Sequence, residues 1–137
     1  MNVLVDTSVW SSVLRRKAPD LTMLAELRRL MHEGRLRIIG PVRQELLSGI
    51  RDSDQFERVR VRLAALADTE LETNDYEEAA RLFNLCRSRG VQGSNTDFLI
   101  CAVSIRAGLK IFTTDNDFAV FARLLPIELY VFPLRSA

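Results

Sequence analysis

Five acidic residues stand where apolar runs of the chain give way to polar ones. Asp6 follows Val3, Leu4 and Val5; Glu45 lies just beyond Gly40 and Pro41; Asp97 precedes a long apolar stretch; Asp115 comes after residues 110–113, with Asp117 two positions on. They are so far apart in sequence that only folding can gather them. Gathered carboxylates repel and raise one another's pKa, so such a cluster calls for a cation. The donors are all oxygen, His32 is the only histidine, and Cys86 and Cys101 lack metal-ligand spacing. That chemistry favours Mg²⁺, or Mn²⁺, over zinc. The reaction class it implies is metal-assisted attack of water on a phosphodiester, with no covalent nucleophile. Ser8, Ser11 and Ser12 have no histidine partner nearby for serine chemistry, and no glycine-rich phosphate loop is present.

Each acid also has a plain structural use. Asp6 would cap a helix opening at Thr7, and Asp115 one containing Phe118. Ser94-Asn95-Thr96-Asp97 has the form of a capping box, and Glu45 fits an exposed polar face. His32 reads as a surface residue at a helix end. Trp10 reads as core, with stacking on a base as its functional alternative.

The elements that would position these acids alternate. Short apolar runs predict strands at 3–5, 36–39, 69–72, 110–113 and 128–132. Helices are predicted at 9–16, from 21 to a stop at Gly34, from Pro41 onward, at 54–67, from Asn74 or Asp75 to Gly90, at 95–107 and at 115–124. Strands alternating with helices predict an α/β domain: a parallel sheet with helices on both faces and a site outside the carboxyl ends of its strands.

With 137 residues, 47% of them hydrophobic and 27% charged, and only six glycines and four prolines, the chain fits one globular domain and excludes collagen, low-complexity disorder and a disulfide scaffold. No run approaches the ~18 apolar residues that cross a bilayer, and the first ten residues lack a basic leader, so a cytoplasmic protein without membrane attachment is expected. The two cysteines are expected to be reduced core residues. Net charge is +1, but unevenly spread: residues 1–62 hold 12 Lys plus Arg against 8 acids, and the remainder 7 against 10. Seventeen of the 19 basic residues are arginine, which suits phosphate.

The segments VLVDTSVW, GPVRQELLSGI, TDFLICAVSIRAG and KIFTTDNDFAVFA, taken in order, resemble the PIN-domain nucleases, and among them the VapC-type toxins of bacterial toxin–antitoxin modules, over residues 3–132. The resemblance implies an α/β/α sandwich around a five-stranded parallel sheet. It further implies a Mg²⁺-dependent endoribonuclease that acts on RNA, forms a homodimer and is neutralised by a cognate antitoxin. Carried over by position, Asp6 and Asp97 match the Mg²⁺ ligands, Glu45 the second acid and Asp115 the fourth, with Asp117 auxiliary. Thr7 and Ser8 match the small hydroxyl residues beside the first acid, and Thr113 the one that ends a strand. Arg15, Arg16 or Arg43 would guide phosphate. Cys101 stands where the family often has alanine, and residues 52–72 match no family pattern.

Two other readings use the same residues. A receiver- or Toprim-like phosphate-handling domain would use Asp115 and Asp117 as a D-x-D pair, although a receiver needs an acidic pair after its first strand and Thr7 and Ser8 stand there. A PIN-like protein with a weak site would act by dimerising and binding a partner.

Overall fold

The computed structural model describes residues 1–132. In chain order the elements are β1 (Val3–Val5), α1 (Thr7–Leu14), α2 (Leu21–His32), β2 (Leu36–Arg37), α3 (Gly40–Leu47), α4 (Ser53–Ala64), α5 (Thr73–Ser88), α6 (Asn95–Ala107), β3 (Lys110–Phe112) and α7 (Asp117–Leu124). Val3, Leu4 and Val5 are fully buried, as a strand covered on both faces must be. β1 is accordingly central, in the order β2-β1-β3, with both pairings parallel. Val3 lies opposite Leu36 on one side and Lys110 on the other, and Val5 opposite Phe112. The ladder continues one step beyond β1, where the Asp6 N–H donates to the Phe112 carbonyl at 2.8 Å. That bond fixes the first acid beside the end of β3.

The sheet has three strands among the described residues, not the five expected. The bridge of Ile38 with Asp68 falls just before the segment expected as the third strand, 69–72, and the segment expected as the fifth contributes the bridge of Ile111 with Leu129. The physical reasons are local. Beyond Thr69, Glu72 already caps α5 through a reciprocal pair with Asp75, and the Glu70 carbonyl accepts from Arg106, so the backbone leaves the sheet. Around Leu129 the ladder bonds stop at Tyr130, whose hydroxyl turns to Glu26 and Arg29, and Val131 is 81% exposed, which leaves that segment no second apolar face. Helix ends differ slightly from expectation: α1 opens at Thr7, where Asp6 is expected to cap it, but ends at Leu14 rather than 16, α4 ends at Ala64 rather than 67, and α7 begins at Asp117 rather than at 115.

α6 is the helix the core is built around. Phe98 to Ser104 are buried without interruption, so it is covered all round, by α5 on one side and β3 on another. Gly108, in the left-handed conformation at φ 67°, ends it, and Ser104 holds Leu109 through both backbone and hydroxyl as the chain turns into β3. Phe83, Phe98, Phe121 and Phe118 form a chain of rings with centroids 5.5, 5.0 and 5.3 Å apart, which ties α5, α6 and α7 together. Burying each such ring contributes on the order of 2 kcal/mol. Cys86 and Cys101 are buried free thiols, as expected. No helix among the described residues is long and apolar enough to cross a membrane.

Candidate active site at the carboxyl end of the central strand

Asp6 is 5% exposed and occupies the position that caps α1, yet its side chain makes no capping hydrogen bond. Its contacts run to Ser8 on α1 and across the sheet to Thr113 instead. Ser8 Oγ donates to Asp6 Oδ2 at 2.8 Å and Thr113 Oγ1 donates to the same oxygen at 2.9 Å. Each hydroxyl in turn accepts a backbone amide, Ser8 from Thr114 at 3.0 Å and Thr113 from Asp115 at 2.9 Å. An amide that donates into a hydroxyl oxygen leaves the hydroxyl proton for the carboxylate, so the two rotors are fixed towards Asp6. Oδ2 is thereby engaged twice, and Oδ1 has no hydrogen bond among the described residues. Thr7, the other hydroxyl expected here, does not join: its Oγ1 is buried without a partner.

Asp97 lies in the first turn of α6, where the capping box forms as expected. Its amide donates to Ser94 Oγ at 3.1 Å, and the Ser94 amide donates to Asp97 Oδ2 at 3.0 Å. Burial pushes the Asp97 carboxyl above the ordinary aspartate value, and the negative fields of Asp6 and Asp115 push in the same direction. The hydrogen bonds with Ser94 pull it down and do not prevail. Asp6, Asp97 and Asp115 therefore share one electrostatic neighbourhood. Burial is also the main reason the Cys101 thiol, one turn below Asp97, is held protonated, with Asp97, Cys86 and Asp6 adding to it. A thiol so placed is inert.

Asp115 closes the turn before α7 by accepting the Asp117 amide on Oδ1 at 2.9 Å. Asp117 itself is exposed at the start of α7. Glu45 is exposed in the second turn of α3, a helix packed against α1, and is not among the charges that act on Asp97. Of the expected arginines, Arg43 is committed elsewhere: it pairs with Asp68 at 2.7 Å and donates to the Leu63 and Leu66 carbonyls, holding α3 to the end of α4. Arg15 and Arg16 are exposed and have no ion-pair partner among the described residues.

No group of three or more His, Cys, Asp or Glu side chains among the described residues is drawn tightly enough to enclose a metal by itself. The donor set nevertheless suits one kind of ion. Mg²⁺ keeps several of its waters and binds through one or two carboxylates plus substrate phosphate, so it needs no closed protein cage. A buried carboxylate with one unengaged oxygen, beside a second whose charge is disfavoured by burial and by like-charge neighbours, is such a partial set.

Three further features depend on contacts between distant stretches of chain. Glu26, buried in α2, holds Arg29 and the Tyr130 hydroxyl. Asp75, 1% exposed, takes a two-pronged bond from Arg106 at 2.7 and 2.9 Å. A groove of about 320 Å³ between α1, α2 and α4 is walled by Trp10, Val13, Leu14, Leu27 and Met31, with Arg28 and Arg62 also lining it. Trp10 is core, as expected, yet its indole nitrogen is buried without a partner.

The family model of the PIN domain matches residues 3–124. Ribonuclease VapC11 of Mycobacterium tuberculosis is 31% identical over 130 residues, 92% of this chain and 96% of the relative. VapC ribonuclease Mb1587 of Mycobacterium bovis matches to the same extent. Among solved structures, VapBC2 from Rickettsia felis bound to a promoter DNA fragment shares the fold with a TM-score of 0.77 at 18% identity, covering 95% of this chain and 98% of that one. FitAcB from Neisseria gonorrhoeae gives a TM-score of 0.70 at 17% identity, covering 94% and 96%.

Proposed function

This chain belongs to the PIN-domain family, and from that premise we propose that it is a Mg²⁺-dependent endoribonuclease of the VapC kind, acting on RNA and restrained by an antitoxin protein. The observation that carries the reading is Asp6: a buried carboxylate at the carboxyl end of the central strand, relieved of capping α1, with Oδ2 held by two hydroxyls and Oδ1 unengaged. A carboxylate buried at the carboxyl edge of the sheet with no basic partner among the described residues is one that a bound cation would complete.

Asp6 and Asp97 would hold the ion with Asp115 beside them, and Glu45 joins the set through the motif that carries it. A bound Mg²⁺, or Mn²⁺, supplies positive charge to the phosphate and acidifies a water. Ser8 and Thr113 keep the Asp6 carboxylate in one orientation, as outer hydrogen-bond partners of ligands generally do. Arg15 and Arg16 remain to meet phosphate, giving affinity that is independent of base sequence and weakened by salt. Arg43 is not assigned that work, since its guanidinium already serves Asp68 and two carbonyls.

The antitoxin would take the groove between α1, α2 and α4. Its walls are apolar, and Arg28 and Arg62 have no acidic partner among the described residues. An apolar segment with acidic flanks fits the apolar walls and the two arginines.

The test is cleavage of RNA by the purified chain with Mg²⁺, beside Asp6→Asn and Asp97→Asn. Each substitution is expected to lower the rate at least ~100-fold, and chelation to abolish it. Cleavage undiminished by both substitutions removes the reading.

A further inference from the structure

We propose that Gly93 is a positioning residue for the acidic site, and that its lack of a side chain sets where Asp97 stands relative to Asp115. The proposal rests on the nuclease reading for its functional consequence only. Gly93 immediately precedes Ser94, the residue whose amide and hydroxyl hold Asp97. A Cβ built on Gly93 would lie 2.6 Å from Phe121 Cζ and 3.0 and 3.2 Å from two atoms of the Phe98 ring. Contacts that short cannot stand, so a ring or the loop must move.

The Phe121 ring is enclosed, and the Phe98 ring can move only by displacing the half-buried Phe83 towards a cavity of about 260 Å³ that Phe83 lines together with Gly93. Phe98 and Phe121 are 1% and 0% exposed, and each is wedged against a further ring, Phe83 and Phe118 respectively. Interiors packed at this density transmit an added methyl group rather than absorb it. Phe98 is the neighbour of Asp97 on α6, while Phe121 belongs to α7, the helix that follows Asp115. The bare backbone at 93 therefore rests on both carriers of the site at once. Adding a methyl group drives the Ser94 cap away from α7, or α7 away from α6, and either movement changes the relation of Asp97 to Asp115. Gly93 is not needed here for a left-handed backbone, since its conformation is one that other residues adopt; space alone excludes a side chain.

The experiment compares the full chain with Gly93→Ala, Gly93→Ala/Phe121→Leu and Phe121→Leu. Backbone amide NMR reads position without requiring activity, and RNA cleavage with Mg²⁺ and calorimetric Mn²⁺ titration read the consequence. Gly93→Ala is expected to shift the amide signals of 94–98 together with those of 113–118, and to lower cleavage ~10-fold or more. The double substitution opens room at the Phe121 edge and is expected to restore both sets of signals and most of the activity. Two results overturn the proposal: signals at 113–118 that stay in place in Gly93→Ala, or a double variant no better than Gly93→Ala, including the case in which both fail to fold. If the unaltered chain cleaves no RNA and binds no Mn²⁺, the nuclease reading fails while the amide signals still decide the role of Gly93.

Discussion

Thr113, at the end of β3, donates its hydroxyl proton to Oδ2 of Asp6, at the end of β1, across 2.9 Å and 107 positions of sequence. The same hydroxyl accepts the Asp115 amide, so one side chain links Asp6 to Asp115. Thr113→Val keeps the shape and removes both bonds. It is expected to lower RNA cleavage ~10-fold and to cost about 1 kcal/mol in urea unfolding. Thr7→Val makes the contrast: the Thr7 hydroxyl is already buried without a partner, so the change should leave stability equal or slightly higher.

Asp97 tests the electrostatics of the site through stability. Its folded carboxyl titrates above the ordinary aspartate value because burial and the fields of Asp6 and Asp115 disfavour the charge. The folded state therefore binds a proton more tightly than the unfolded chain, and stability falls as pH rises through that window. Asp97→Asn can still accept the Ser94 amide. It is expected to raise the thermal midpoint by ~2 °C at pH 7.5, with the gain vanishing below the ordinary carboxylate range. Thermal unfolding of both proteins across that pH range reads the crossover, and a loss of stability at pH 7.5 counts against the account.

The pair of Asp75 and Arg106 behaves in the opposite sense. Burial works against the Asp75 charge, but the hydrogen bond from Arg106, the Glu72 amide and the guanidinium field together hold it below the ordinary value. Stability from this pair is present above the unfolded aspartate pKa and is lost as pH falls through the lower folded one. Arg106→Met leaves a buried carboxylate unpaired and is expected to cost ~3 kcal/mol at neutral pH. Urea unfolding at pH 7 and at acid pH checks both the size and its decline.

Much of this arrangement is legible in sequence, and the exceptions have physical causes. The apolar run at Val3–Val5 ending on an acid shows β1 and Asp6, and S-x-x-D shows the cap that Asp97 makes. Residues 69–72 and 128–132 read as strands on propensity, but capping at Glu72 and the side-chain bonds of Tyr130 take the backbone away after single bridges at Asp68 and Leu129. Arg43 looks like any surface arginine until α4 brings Asp68 and two carbonyls to it. Gly93 with Ser94 reads in sequence only as a loop before α6, since the reason a side chain is excluded there lies in the rings of Phe98 and Phe121.

The groove between α1, α2 and α4 makes a partner prediction separable from catalysis. Arg28→Glu with Arg62→Glu reverses the charge of its lining without touching the acidic site. Binding of the antitoxin is expected to weaken at least ~10-fold by calorimetry, while RNA cleavage by the isolated chain is unchanged. Equal losses in both assays would mean that the groove and the acids are not separate sites.

The account turns on one ion bound by residues that the fold brings to the end of β1. Crystals soaked in Mn²⁺ and measured at the manganese absorption edge locate that ion directly. The predicted result is an anomalous peak within ligand distance of Asp6 Oδ1 and of an Asp97 oxygen, absent from Asp6→Asn crystals. A peak elsewhere on the surface, or one unaltered in Asp6→Asn, contradicts it.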